Sequence, residues 1–134
     1  MNDNQTIALI KRVLRKWTRP LGIRWWFLDV SYVCDGEGFE RQSDGDVLGT
    51  CTCFPEYRSA KIRFNILKLR DQTPDQIEEN VVHELAHILI SPVAKGERRN
   101  DNKEMAAVAV ANALLWLRHE CERRTVKSKK RKRA

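Results

Sequence analysis

Between Val81 and Leu89 the chain reads Val-Val-His-Glu-Leu-Ala-His-Ile-Leu, and no other stretch restricts the fold as much. Its two histidines, His83 and His87, stand four residues apart, with Glu84 directly after the first. On an α-helix, residues four apart share one face, one turn from each other, so both rings can grip a single ion. Neutral imidazole is a good zinc ligand, and a catalytic zinc site keeps one position open for water. Glu84 lies beside the first ligand, where a carboxylate can take a proton from that water. The flanking residues Val81, Val82, Leu85, Ala86, Ile88 and Leu89 are uncharged, which suits a helix packed into a core. The competing reading is an amphipathic core helix that happens to carry two histidines. The chain has only three histidines, two of them at this spacing, and that favours the metal.

The helix has a sharp expected start. Thr73 fits an N-cap, Pro74 the first helical position and Asp75 the first turn, where negative charge suits the helix dipole. Ser91-Pro92 is the expected stop. Upstream, residues 4–18 place Ile7, Ile10 or Leu9, Val13, Leu14 and Trp17 at helical spacing, with Lys11, Arg12, Arg15 and Lys16 on the other side. Thr18-Arg19-Pro20-Leu21-Gly22 ends that helix. Residues 23–33 are rich in aromatic and β-branched side chains and predict a strand, with Trp25 and Trp26 on opposite faces. Asp35–Gly38 and Ser43–Asp46 are turn clusters. A second strand is expected over Val47–Phe54, stopped by Pro55. A third is expected over Ala60–Leu69, where Ile62, Phe64 and Ile66 alternate with Lys61, Arg63 and Asn65. After a linker over 93–102, a last helix is expected from about Asn102 to Arg123, its apolar face formed by Met105, Val108, Ala109, Ala111 or Asn112, Leu115 and Trp116.

This order resembles the minimal core of the zincin metallopeptidases: a backing helix, a small twisted sheet of three or four strands, the active-site helix and a following helix. The resemblance spans roughly residues 45–117 and is specific at His83–His87. It implies an α+β fold, a Zn2+ cofactor, Glu84 as general base and a polypeptide substrate paired along Val47–Phe54 or Ala60–Leu69. The metzincin branch is excluded, because Ile90 and Val93 stand where it needs a glycine and a third ligand. Similarity to the gluzincins, including minigluzincins and ImmA/IrrE-type peptidases, makes Glu104 the expected third ligand, seventeen residues after His87. A first-turn helix charge is the competing role for Glu104. Glu97, Asp101 and His119 are its rivals. His119 lies fifteen residues beyond Glu104, about 22 Å along one helix, so the two cannot share an ion. A histidine ligand would suit a SprT-like arrangement, which Leu48-Gly49-Thr50 also resembles. That family's third histidine falls near Asn100–Lys103, where none stands here. Val108 occupies the position at which many gluzincins carry an acid or amide that orients a zinc histidine; Asn112, Asp71 and Asp101 are the substitutes. Tyr57 and His119 are candidates beside the oxyanion.

The 134 residues suffice for one domain, expected over 1–124, with a basic disordered tail over 125–134. Of twenty-five Lys/Arg and eighteen Asp/Glu, nine and two lie in residues 118–134, leaving sixteen of each sign in a neutral body. The run Lys127–Arg133 suits non-specific contact with nucleic-acid phosphate, and the competing reading is a solvated tail with only weak, incidental affinity for polyanions. The alternative function is therefore a nucleic-acid- or protein-binding module on a zincin scaffold, without catalysis. No apolar run approaches the roughly eighteen residues of a membrane span, so no membrane partner is expected. The N-terminus lacks the basic-then-apolar order of an export signal, which makes the cytoplasm the expected compartment. Cys34, Cys51, Cys53 and Cys121 are then expected as reduced thiols, because a C-x-C pair with distant cysteines is no zinc-ribbon spacing.

Overall fold

A computed structural model describes residues 1–39, 47–92 and 100–133, with the backbone alone for 100–102. The expected turn cluster at Ser43–Asp46 and most of the 93–102 linker, Glu97 included, fall outside the described residues. The described residues form an α+β architecture of four helices and a three-stranded mixed sheet.

Helix α1 (Asp3–Thr18) opens with a capping box, in which Gln5 N–H donates to Asn2 Oδ1 and Asn2 N–H donates to Gln5 Oε1. It buries Ile10, Val13, Leu14 and Trp17, the face expected from their spacing. Strands β1 (Phe27–Val33), β2 (Gly49–Phe54) and β3 (Ser59–Asn65) follow, in the sheet order β1-β3-β2. β3 is central, parallel to β1 and antiparallel to β2. Its alternation holds as far as Phe64, with Ala60, Ile62 and Phe64 fully buried and Lys61 exposed, but Asn65, expected on the outer side, is buried, its side-chain amide donating to the Val47 carbonyl.

Two sequence expectations fail around the sheet. Residues 23–26 form turns, and the first strand starts only at Phe27. Trp26 still packs on the core, while Trp25 is exposed and stacks with the Arg24 guanidinium, 4.6 Å from the ring centre. β3 ends at Asn65 rather than Leu69, because Ile66–Leu69 coils into a single helical turn, α2. The three-residue interval from Ile66 to Leu69 buries both side chains completely in that turn, which a continuing strand would not do.

Helix α3 (Pro74–Ile90) begins as expected, with Thr73 as N-cap and Pro74 at the first position; Gln76 completes a second capping box. Its buried residues Ile77, Val81, Val82, Leu85 and Ile88 join one core cluster with the buried residues of α1, β3 and α4. Helix α4 (Asn100–Arg133) differs from expectation in two ways. Its buried face is Ala107, Ala111 and Leu115, whereas Met105, Val108 and Trp116 are exposed. Small alanine side chains let α4 lie close against α3, so alanines rather than the bulkiest apolar residues mark the contact. The helix also runs on to Arg133 instead of ending near Arg123, so residues 125–133 are helical rather than disordered. Arg118–Glu122 and Arg124–Glu120 pairs, each 3.1 Å at spacing i,i+4, bridge the point where it leaves the body. No described helix is long and apolar enough to cross a membrane.

Candidate metal centre

Three helical side chains converge on the open face of α3. Nε2 of His83 and Nε2 of His87 are 3.2 Å apart, as one turn of helix dictates. Across from them, Glu104 in the first turns of α4 sets Oε2 3.1 Å from His83 Nε2 and Oε1 3.1 Å from His87 Nε2. Zinc–nitrogen bonds of about 2.05 Å at tetrahedral angles separate donor atoms by roughly 3.3 Å. The spacings found are within about 0.2 Å of that, with each histidine meeting a different oxygen of Glu104, so the three side chains are close enough to hold one ion. Among the described residues this is the only group of three or more His, Cys, Asp or Glu side chains close enough to hold one. The histidines are partly buried and Glu104 is half exposed, so the site opens outward. Burial holds His87 below its ordinary pKa, which favours the neutral, metal-binding ring; the Glu104 carboxylate opposes this less strongly.

Glu84 is buried beside the two histidines. It is 5% exposed, and its Oε2 has no hydrogen-bond partner among the described residues. Burial first, then the charge of Glu104 and of Cys53, pushes its pKa up to about 8. Edge strand β2 closes over it. A Cβ at Gly49 would lie 3.0 Å from Glu84 Oε1 and 3.2 Å from its Cγ, so glycine is what allows the carboxyl to occupy that space. Gly49 was open to detection in the sequence as a glycine inside a strand pattern, a common mark of close approach.

The resulting cleft, about 1100 Å³, runs between β2 on one side and α3 and α4 on the other. Among the described residues β2 pairs only with β3, and Gly49, Thr50, Cys51, Thr52 and Cys53 of β2 line the cleft. Cys51 and Cys53 lie on its inner wall with their sulfurs 3.5 Å apart. The hydrogen bond from Cys51 holds the Cys53 thiol below its ordinary pKa, with help from Ser91 and against burial. The same pairing, with burial, pushes Cys51 up. All four cysteines are unpaired.

Of the three rival ligands, His119 alone has a described side chain, and it lies apart from this group. His119 is exposed, 3.9 Å from Glu122, and borders a small second hollow with Asp75 and Glu78. The Asp101 side chain and Glu97 lie outside the described residues. Tyr57 is 78% exposed and does not line the cleft. Of the residues considered for orienting a zinc histidine, Asn112 borders the cleft with Val108, and Asp71 is exposed in the turn after α2. No family model, no curated protein and no solved structure matches this chain.

Proposed function

We propose that the protein is a small zinc-dependent metallopeptidase of gluzincin-like type, built on a minimal zincin fold. The observation that carries this reading is the convergence of Glu104 on both histidines at 3.1 Å, with Glu84 buried alongside. A structural zinc site would be closed by four protein ligands; three ligands facing a cleft leave room for water and substrate. Zinc held there supplies Lewis acidity, which polarises a carbonyl and acidifies water. The protein's own groups supply the rest. His83, His87 and Glu104 would hold the ion, each side chain carried on a helix, α3 or α4. Glu84 accepts a proton from the attacking water and delivers it to the leaving amine. The free edge of β2 offers backbone groups to an extended polypeptide, which would cross the cleft beside Glu84.

The reading is tested by zinc content of protein purified without added metal. Wild type and His119→Ala are expected to hold close to one zinc per chain, and Glu104→Ala to hold far less. Zinc lost only in His119→Ala would replace the gluzincin-like site with a SprT-like one. Casein-type and unfolded protein substrates then report hydrolysis, with Glu84→Gln as the zinc-loaded, inactive comparison. Full zinc occupancy with no hydrolysis that Glu84→Gln abolishes would favour the binding-module reading.

A further inference from the structure

The basic residues at the end of the chain are presented as a continuous helical rod. From Arg118 onward α4 makes no part of the buried core, and residues 119–133 are exposed but for partly covered Glu120. At its root the charges are matched: Arg118 pairs with Glu122, and Arg123 and Arg124 both pair with Glu120. Beyond Glu122 no acidic residue remains, while Lys127, Lys129, Lys130, Arg131, Lys132 and Arg133 follow. Among the described residues none of these six makes an ion pair.

The arrangement works against the helix that carries it. Lys127–Arg131 and Lys129–Arg133 are like-charge pairs at i,i+4, which destabilise an isolated helix. The macrodipole favours cations in the last turn and so accounts for Lys130–Arg133, but not for Lys127 and Lys129. A polyanion would relieve the repulsion, and its spacing can be stated. Lys127 to Arg133 spans six helical rises, about 9 Å, which is one cation per about 1.5 Å of axis. Duplex DNA carries one phosphate charge per about 1.7 Å of its axis, close to the same density. A lipid surface fits less well, because Val126 is the one apolar side chain from Arg123 to Arg133 and offers no face to insert. We infer that the C-terminal third of α4, centred on Lys127–Arg133, is a rigid arm that docks on the phosphate backbone of double-stranded DNA without reading its sequence. Lys127 lies twenty-three residues from Glu104, about 35 Å along the helix, so docking leaves the metal cleft clear.

The test is fluorescence anisotropy of a labelled random-sequence 30-base-pair duplex with the full chain, titrated between 50 and 200 mM KCl. Up to six phosphate contacts predict a slope of log affinity against log salt of about −5, a loss of about a thousandfold across that range. Glutamine at all six positions keeps helix propensity and is expected to reduce the slope to below 1 in magnitude, with the thermal unfolding of the body unchanged. Thr125→Pro keeps every charge but breaks the rod by removing an N–H and crowding the Cys121 carbonyl; it is expected to weaken duplex binding about tenfold. A shallow wild-type slope, or one unchanged in the six-glutamine variant, would overturn the arm as a DNA site. Full affinity in Thr125→Pro would overturn its rigidity. Displacement of the duplex by poly-glutamate or by phosphatidylserine vesicles at equal charge concentration would overturn the choice of partner. None of these readouts depends on zinc or on hydrolysis.

Discussion

Glu78 offers the sharpest test of how the site-bearing helix is held. Its Oε1 accepts hydrogen bonds from Trp17 Nε1 at 2.7 Å and from Lys16 Nζ at 2.8 Å, tying α3 to α1. The carboxylate side chain is 15% exposed and Trp17 is 4% exposed, so Glu78→Ala leaves a buried indole N–H without an acceptor. A hydrogen bond to a charged group contributes about 1.5–3 kcal/mol. The Lys16 pair, itself about a third exposed, adds at most a few tenths. Glu78→Ala should therefore cost about 2–3 kcal/mol, a drop of roughly 8–12 °C in Tm for a domain of this size. Glu78→Gln keeps an acceptor and removes the charge, so about 1 kcal/mol is expected. The pH dependence separates the two contributions. Burial pushes the Glu78 carboxyl up, but hydrogen bonds from Lys16 and Trp17 and the Lys16 and His119 charges outweigh it and hold the folded pKa below the ordinary 4.5. A carboxyl depressed on folding stabilises fully above its unfolded value and loses that contribution as pH falls through the folded one. In urea titrations the gap between wild type and Glu78→Gln should thus be constant from pH 6 to 8 and close below pH 4.5. A cost under 0.5 kcal/mol for Glu78→Ala, or a gap that widens in acid, would refute the reasoning.

Three further outcomes follow from the cleft. Gly49→Ala gains about 0.4–1 kcal/mol from a stiffer unfolded chain, but its methyl meets Glu84 Oε1 at 3.0 Å and the Arg63 carbonyl at 3.3 Å. Overpacking of about 1–3 kcal/mol wins, so urea unfolding should show net destabilisation, and unchanged or higher stability would mean that Glu84 does not fill that space. If the His83–His87–Glu104 group holds zinc, an ion at a hundred times its Kd adds about 2.7 kcal/mol; scanning calorimetry should show Tm rising by roughly 10 °C in wild type, not in His87→Ala, and falling again with chelator. Cys53 should react with iodoacetamide before Cys51 at pH 7, as read by peptide mass spectrometry, since the thiol pair lowers one pKa and raises the other. Equal rates would argue that the sulfurs are not paired in solution.

The elements whose determinants are local were legible in the sequence. Thr73, Pro74 and Asp75 announce the start of α3 because capping involves residues three or four apart. The same holds for the buried face of α1 and for the alternation of Ala60, Ile62 and Phe64, where period and burial coincide. Ile66–Leu69 was not legible, because a short apolar run satisfies a strand or a helical turn equally until its neighbours choose. α4 misled in the same way. Met105, Val108 and Trp116 are its largest apolar residues near the core, yet close helix packing selected Ala107 and Ala111 and left the larger ones outside.

By itself the sequence determined that His83 and His87 share a helical face with Glu84 beside them, since their relation is set by 3.6 residues per turn. It also determined a neutral body followed by a strongly cationic end. That Glu104 rather than His119 lies beside the two histidines is visible only in the tertiary structure. Glu104 stands twenty-one residues from His83 with no periodic relation to it, and the packing of α4 on α3 brings its oxygens to 3.1 Å while carrying His119 away along the same rod. Tertiary structure likewise chose β2 as the strand beside the cleft and Gly49 as the space for Glu84, because strand order depends on non-local pairing that no local pattern encodes.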